Sequence, residues 1–250
     1  VLGTFDFGVA DFVETELCAG VRTLVEPMAG TAEFCYSGHF RFPEFKYIMI
    51  DLDEEARDLV MAQRWLPQAR KQYLLGDVLA PEVWEQVKSE SEGESLAYIG
   101  KQSHHYFDAK QLMSLMKEAT AHVDYLMLET PQICLVSDMG DTDELTRPEQ
   151  EDAGFTCELV GEKDGDPNPL THRLSFRLEA SNGRKSRGLF NYHDWTSWGH
   201  STLVAFADLL DLRSFYYHSE DEEFVPVSDW DGEADCEENV TFMLFTRRNV

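Results

Sequence analysis

The chain has 250 residues, 43% of them hydrophobic and 12% aromatic, which is enough to fill the core of one large domain and excludes a disordered chain. Its 47 acids against 21 bases leave a formal charge of −26, a surface that repels phosphate backbones and argues against a nucleic-acid partner. No apolar run approaches the ~18 residues of a membrane helix, so no membrane partner is expected.

In chain order, the first half alternates strand-like and helical segments. Arg22 to Val25 is a short apolar run closed by Glu26-Pro27-Met28-Ala29-Gly30-Thr31. Lys46 to Ile50 is a second run, ending in Asp51 and followed by a helical pattern over Asp53 to Gln63. Lys71 to Leu75 is a third, ending in Gly76-Asp77. Leu96 to Ile99 is a fourth, and Asp108 to Ala121 then carries Leu112, Leu115 and Met116 at helical spacing. Val123 to Leu128 is the fifth. This alternation predicts βαβ units, hence an α/β domain with a doubly wound, mostly parallel sheet and helices on both faces.

The second half changes character. Met139 to Pro169 is polar, acidic and rich in Gly and Pro, which predicts a loop-like excursion from the core. Leu174 to Ala180 and Gly188 to Tyr192 flank Asn182-Gly183 as the arms and turn of a hairpin. Ser201 to Leu210 is apolar enough for a final helix, and Arg213 to Tyr217 and Thr241 to Thr246 read as two closing strands. The expectation is a single domain over 1–250 with a seven-stranded sheet and an inserted lid or hairpin at 139–200.

The five cysteines (Cys18, Cys35, Cys134, Cys157, Cys236) are odd in number and include no C-x-x-C pair. They support neither a zinc cluster nor a disulfide scaffold, and predict buried free thiols in a reducing cytoplasm. Val1-Leu2-Gly3 carries no basic, apolar signal pattern and reads as a trimmed or processed start. The acidity fits a charged, solvated surface, or a salt-adapted source in view of the excess of Arg over Lys.

In an open α/β sheet, ligands sit beyond the carboxyl ends of the strands where strand order reverses. Small and polar residues fall at those ends here. Gly30, between Ala29 and the Thr31-Ala32 pair, offers a turn where a ligand can approach the backbone. Asp51 follows 21 positions after Gly30, the distance at which a carboxylate accepts from a ribose diol. Asp77 ends the third strand, placed to accept from an exocyclic amine. Taken singly, each has a bland reading: a glycine after a strand is often structural, and an aspartate there often only caps the next helix. Their order and register together point to a nucleoside-binding site.

This pattern resembles the class I S-adenosylmethionine-dependent methyltransferases. Val25-Glu26-Pro27-Met28-Ala29-Gly30-Thr31-Ala32 is similar to their first motif, an acid followed by a Gly-rich loop. The resemblance implies a Rossmann-like methyltransferase fold with S-adenosyl-L-methionine as cofactor. It implies that Glu26, Met28, Ala29, Gly30, Leu52, Gly100 and Lys101 line the cofactor, that Asp51 holds the ribose, and that Asp77 and Val78 face the adenine. The run from Gly100 and Lys101 through Gln102, His104 and His105 to Asp108 is similar to the segment after the family's fourth strand. The resemblance spans about residues 20–130, with a looser echo at the C-terminal strands. Met28 and Ala32 depart from it, standing where the family most often has glycine. An NAD-binding domain shares the acid after the second strand, but needs a G-x-G-x-x-G turn that Glu26-Pro27-Met28-Ala29-Gly30 does not make.

Methyl transfer is an in-line displacement, so positioning the acceptor does much of the work, and a base is needed only where a proton must leave. His104 or His105, just beyond the fourth strand, is a candidate base; the alternative is a pair that opens a helix and packs over the cofactor. A second cluster, Asn191-Tyr192-His193-Asp194-Trp195-Thr196-Ser197-Trp198-Gly199-His200, gathers imidazoles, indoles, a phenol and a carboxylate. The resemblance implies that this connection covers the acceptor, with Tyr192, Trp195 and Trp198 as contacts and His193 or His200 as a base. An aromatic anchor for the hairpin is the alternative. Glu129, after the fifth strand, and Gln102 are further acceptor-facing candidates.

The expected function is methylation of an oxygen, nitrogen or carbon of a small-molecule metabolite. Two alternatives stay open. In one, Gln102 and the four histidines converge on a metal ion that assists transfer to a small or carrier-bound acceptor. In the other, the domain binds the cofactor without turnover.

Overall fold

The computed structural model describes residues 20–64, 67–100, 103–129, 147–152, 155–163, 173–182, 187–196, 198–218, 223–229 and 240–247. Side chains are not described at 105, 147–196, 218, 223, 240 and 241. The chain divides into two compact units, one of 1–104, 109–130 and 200–250, the other of 105–108 and 131–199.

The first unit opens with β1 (Val21–Pro27) and α1 (Glu33–Arg41), then β2 (Lys46–Asp51) and α2 (Glu54–Ala62). A 3-10 turn at Gln68–Arg70 leads into β3 (Lys71–Leu75), followed by α3 (Pro81–Glu90) and β4 (Glu94–Ile99). A second 3-10 turn at Ser103–Tyr106 precedes α4 (Ala109–His122) and β5 (Tyr125–Glu129). After the insertion come α5 (His200–Leu209), β10 (Arg213–His218), β11 (Glu223–Pro226) and β12 (Val240–Thr246).

Eight strands form one sheet in the order β11-β10-β12-β5-β4-β1-β2-β3. β3, β2, β1, β4 and β5 run parallel, with Leu24 opposite both Tyr47 and Leu96. β12 runs antiparallel to β5 and to β10, which closes the parallel sheet as a reversed strand. Seven strands match the expectation, and the eighth, β11, lies antiparallel at the β10 edge. Only four residues long and ending in Pro226, it is too short to show a period in sequence.

The elements form for local reasons. All four central residues of β2, Tyr47 to Ile50, are buried, as in a strand covered on both faces. Asp53 caps α2, its carboxylate accepting from Glu55 N at 2.8 Å and Ala56 N at 3.0 Å. Pro81 sits at the first turn of α3, where its missing N–H is no loss. On α4, Leu112, Leu115, Met116 and Ala119 are buried at the predicted i, i+3, i+4, i+7 spacing. Among the described residues, no helix is long and apolar enough to cross a membrane.

The second unit holds β6 (Arg147–Asp152), β7 (Phe155–Lys163), β8 (Arg173–Asn182) and β9 (Arg187–Thr196), an antiparallel four-stranded sheet in that order. The β8–β9 hairpin, with Ser181 opposite Arg187, has the predicted arms, while Asn182 of the predicted turn is the last residue of β8 and Gly183 lies outside the described residues. The loop-like reading of Met139 to Pro169 is corrected here, since β6 and β7 occupy much of that stretch. Arg147-Pro148-Glu149-Gln150-Glu151-Asp152 has no apolar period and is a strand only because its backbone pairs with β7. β7 does alternate at Phe155, Cys157 and Leu159, a signal hidden among charged and glycine residues.

Candidate functional site

Strand order reverses between β1 and β4, so the crevice of this doubly wound sheet lies beyond Pro27 and Ile99. The loop that leaves β1 has an unusual backbone. Met28, Gly30 and Ala32 all have positive φ, at 58°, 48° and 60°. Glycine adopts that region freely, whereas the left-handed conformation costs a residue with a Cβ about 1–2 kcal/mol. The two departures from the family motif thus fall on the two other left-handed positions.

Ties from the neighbouring strands hold this shape. Ala29 N donates to Ile50 O at 3.0 Å, and Ala32 N to Ala29 O at 2.7 Å. Gly30 N donates to the Asp51 carboxylate at 2.8 Å. The Tyr73 hydroxyl, from β3, donates to Gly30 O at 3.0 Å. Burial first, and then the negative charge of Asp51, pushes the Tyr73 phenol up from its ordinary value, which keeps it a donor.

Glu26, the acid of the motif, turns to the start of α1. Its carboxylate accepts from Phe34 N at 3.2 Å and Cys35 N at 2.8 Å. Ala32, at the N-cap position, offers no side-chain cap, so Glu26 serves the orphan amides and the positive helix end from the preceding strand. The Cys35 thiol is free and buried, and burial followed by the Glu26 charge raises its pKa well above 9.0.

Asp51 is distinct from a helix cap, because Asp53 performs that task for α2. The Asp51 carboxylate accepts one amide on each oxygen, Gly30 N on one and Asp53 N at 3.0 Å on the other. A carboxylate has about four acceptor sites, so capacity remains for a pair of hydroxyl donors. Leu52 beside it is 71% exposed, an apolar surface at the strand end. A Cβ placed on Gly30 would meet nothing within 4 Å, so the loop faces open space there. These features fit a nucleoside group: open acceptors next to an exposed apolar side chain and a bare glycine backbone.

At the end of β3, Asp77 is exposed and accepts from Leu79 N at 2.9 Å. Val78 is buried, and its carbonyl accepts from Trp84 Nε1 at 2.7 Å, which anchors the turn on α3. Gly76 packs so closely that a Cβ would come within 2.6 Å of Val83 Cγ2. At the end of β4, Gly100 O accepts from Ser103 N at 3.1 Å. Lys101 and Gln102 lie outside the described residues, and His105 is described by its backbone alone.

His104 is fully buried in the 3-10 turn after β4. Glu129, at the end of β5, accepts from the Tyr98 hydroxyl at 3.4 Å, and Tyr98 packs on Phe34 of α1 with ring centroids 4.4 Å apart. His200 is the first residue of α5 and half-buried. In the second unit, Tyr192, His193 and Trp195 fall within β9, whose side chains are not described, while Trp198 is buried. Among the described residues, no group of three or more His, Cys, Asp or Glu is placed to hold a metal ion.

Thus Glu26, Met28, Ala29, Gly30, Asp51 and Leu52 come together at the ends of β1 and β2. Sequence reasoning missed Tyr73, Tyr98 and the division of labour between Asp51 and Asp53. The only signal for Tyr73 was a phenol inside a strand, which commonly finds a partner when buried.

The site lies at the ends of β1 and β2 in a doubly wound sheet. No family model matches the chain, and no curated protein does. Solved structures do match over nearly its whole length. DesVI from Streptomyces venezuelae superposes with a TM-score of 0.63 at 12% identity, covering 99% of this chain and 92% of that one. A sugar N-methyltransferase from a Streptoalloteichus species gives 0.62 at 14% identity, covering 99% and 88%. An S-adenosylmethionine-bound amino pentose methyltransferase from Micromonospora echinaspora, involved in calicheamicin biosynthesis, gives 0.60 at 14% identity, covering 96% and 89%. The chain has the Rossmann-like fold of class I S-adenosylmethionine-dependent methyltransferases.

Proposed function

We propose that this chain binds S-adenosylmethionine beyond β1 and β2 and transfers its methyl group to a small-molecule acceptor. The observation that carries the reading is the Asp51 carboxylate at 2.8 Å from the Gly30 amide, with acceptor capacity to spare at the strand-order reversal. Asp51 takes the ribose hydroxyls, Leu52 and Val78 flank the adenine, and Asp77 accepts from its amine. Met28, Ala29 and Gly30 line the methionine part, Glu26 holds α1 behind them, and Gly100 and Lys101 border the other side.

The cofactor supplies an electrophilic methyl carbon on a sulfonium. Transfer of that carbon to an acceptor whose nucleophile carries a proton would need a base from this chain. His104, His105, His193 and His200 are the candidate bases. Gln102, Glu129, Tyr192, Trp195 and Trp198 are the candidate acceptor contacts. The sugar and amino pentose methyltransferases among the structural neighbours favour a sugar amine or hydroxyl as acceptor. The buried free thiol of Cys35 suits a reducing, cytoplasmic setting.

Calorimetric titration with S-adenosylhomocysteine, in parallel with NAD and repeated after chelator treatment, tests this. The expected result is micromolar binding of S-adenosylhomocysteine alone, unchanged by chelation. Asp51→Ala weakens it about 10- to 100-fold, the worth of charge-assisted hydrogen bonds. Unchanged affinity in that variant removes the ribose assignment. His105→Ala and His193→Ala lower turnover and spare cofactor affinity; wild-type rates in both would make the two histidine clusters structural. Binding without transfer to any amino sugar or hydroxylated acceptor would establish a silent domain instead.

A further inference from the structure

The two peptide planes that meet at Gly30 are held from two different strands. The Gly30 N–H donates to the Asp51 carboxylate on β2 at 2.8 Å, and its C=O accepts from the Tyr73 hydroxyl on β3 at 3.0 Å. On either side of it, Met28 and Ala32 sit at φ 58° and 60°, where a side chain is strained. A loop with two such residues relaxes unless something outside it opposes the relaxation. The Tyr73 phenol is placed to do so, being 8% exposed and anchored in a paired strand, with Tyr73 opposite Met49.

We propose that Tyr73 is a positioning residue for cofactor binding: its hydroxyl latches the carbonyl of Gly30 and keeps the strained loop after β1 in its binding shape. This rests on the reading that the loop holds S-adenosylmethionine. The latch works through population. A ligand that binds only the latched loop loses apparent affinity in proportion to the fraction of chains in another shape. Asp51 alone fixes the peptide plane before Gly30 and leaves the plane after it, which carries the Gly30 carbonyl, free to rotate away. With the latch present, the protein carries Met28 and Ala32 where unaided loops need glycine.

The test compares Tyr73→Phe with Tyr47→Phe. Tyr47 is also a buried strand tyrosine, whose hydroxyl donates to Phe42 O at 2.7 Å, away from the loop. Both variants lose one hydrogen bond and a similar amount of stability. Only Tyr73→Phe weakens S-adenosylhomocysteine binding, by about three- to tenfold, and speeds exchange of the Gly30 amide in the free protein by a similar factor. Adding Ala32→Gly to Tyr73→Phe recovers affinity, because glycine holds the left-handed shape without strain. Unchanged affinity and exchange in Tyr73→Phe, or an equal affinity loss in Tyr47→Phe, overturns the latch. If the wild type does not bind S-adenosylhomocysteine, the cofactor reading fails, and the Gly30 exchange rate still decides whether the latch exists.

Discussion

Two aspartates two positions apart do different work at the end of β2. Asp53 points into the first turn of α2 and accepts two backbone amides, whereas Asp51 turns back towards the loop after β1. Their variants therefore separate cleanly. Asp53→Ala costs about 1 kcal/mol of stability through loss of the cap, seen as a lower melting temperature, with S-adenosylhomocysteine affinity close to wild type. If Asp53→Ala abolishes binding while Asp51→Ala spares it, the roles are reversed. In sequence the pair Asp51-Leu52-Asp53 offers both residues for either task. Which one caps is decided by where the first helical amides point.

At the level of elements, α2 is fastened at its far end by a residue from the next strand. Lys71 is 4% exposed, and its ammonium donates to Val60 O at 3.0 Å, Met61 O at 3.3 Å and Gln63 O at 2.6 Å. A cation here satisfies the last carbonyls and faces the negative helix end. Lys71→Met keeps most of the apolar stem and strands those carbonyls, so a loss of about 2 kcal/mol is expected, together with faster amide exchange in the last turn of α2. A loss within a few tenths would mean that water replaces the ammonium. The same β3 strand carries Tyr73, so one edge strand secures both a helix end and the site loop.

For the whole molecule, pH sets a limit on the alkaline side. Burial raises the acid groups of Cys35, Tyr47 and Tyr73 from 9.0, 10.0 and 10.0. Above about pH 9 the unfolded chain releases these protons while the folded chain keeps them, so stability falls as pH rises. Lys71, lowered from 10.5 by burial, acts in the opposite direction, one group against three. Urea midpoints at pH 7, 9 and 10.5 are expected to decline in that order. A flat or rising series would show that these groups are hydrated in the folded state.

The sequence by itself determined the parallel half of the sheet and the order of the candidate residues at its strand ends. Fully buried strands leave continuous apolar runs, and α4 leaves a periodic stripe, because both faces or one stripe must avoid water. The strand-end positions of the candidate residues Gly30, Asp51 and Asp77 were legible because they follow those runs closely. The tertiary structure decided the rest. β6 is a strand through backbone pairing that no side-chain pattern records, and β11 is too short to have a pattern. Glu26 caps a helix seven positions on, and Tyr73 meets Gly30 from 43 positions away. Such contacts depend on which strands become neighbours, and the local period of a sequence carries no trace of that.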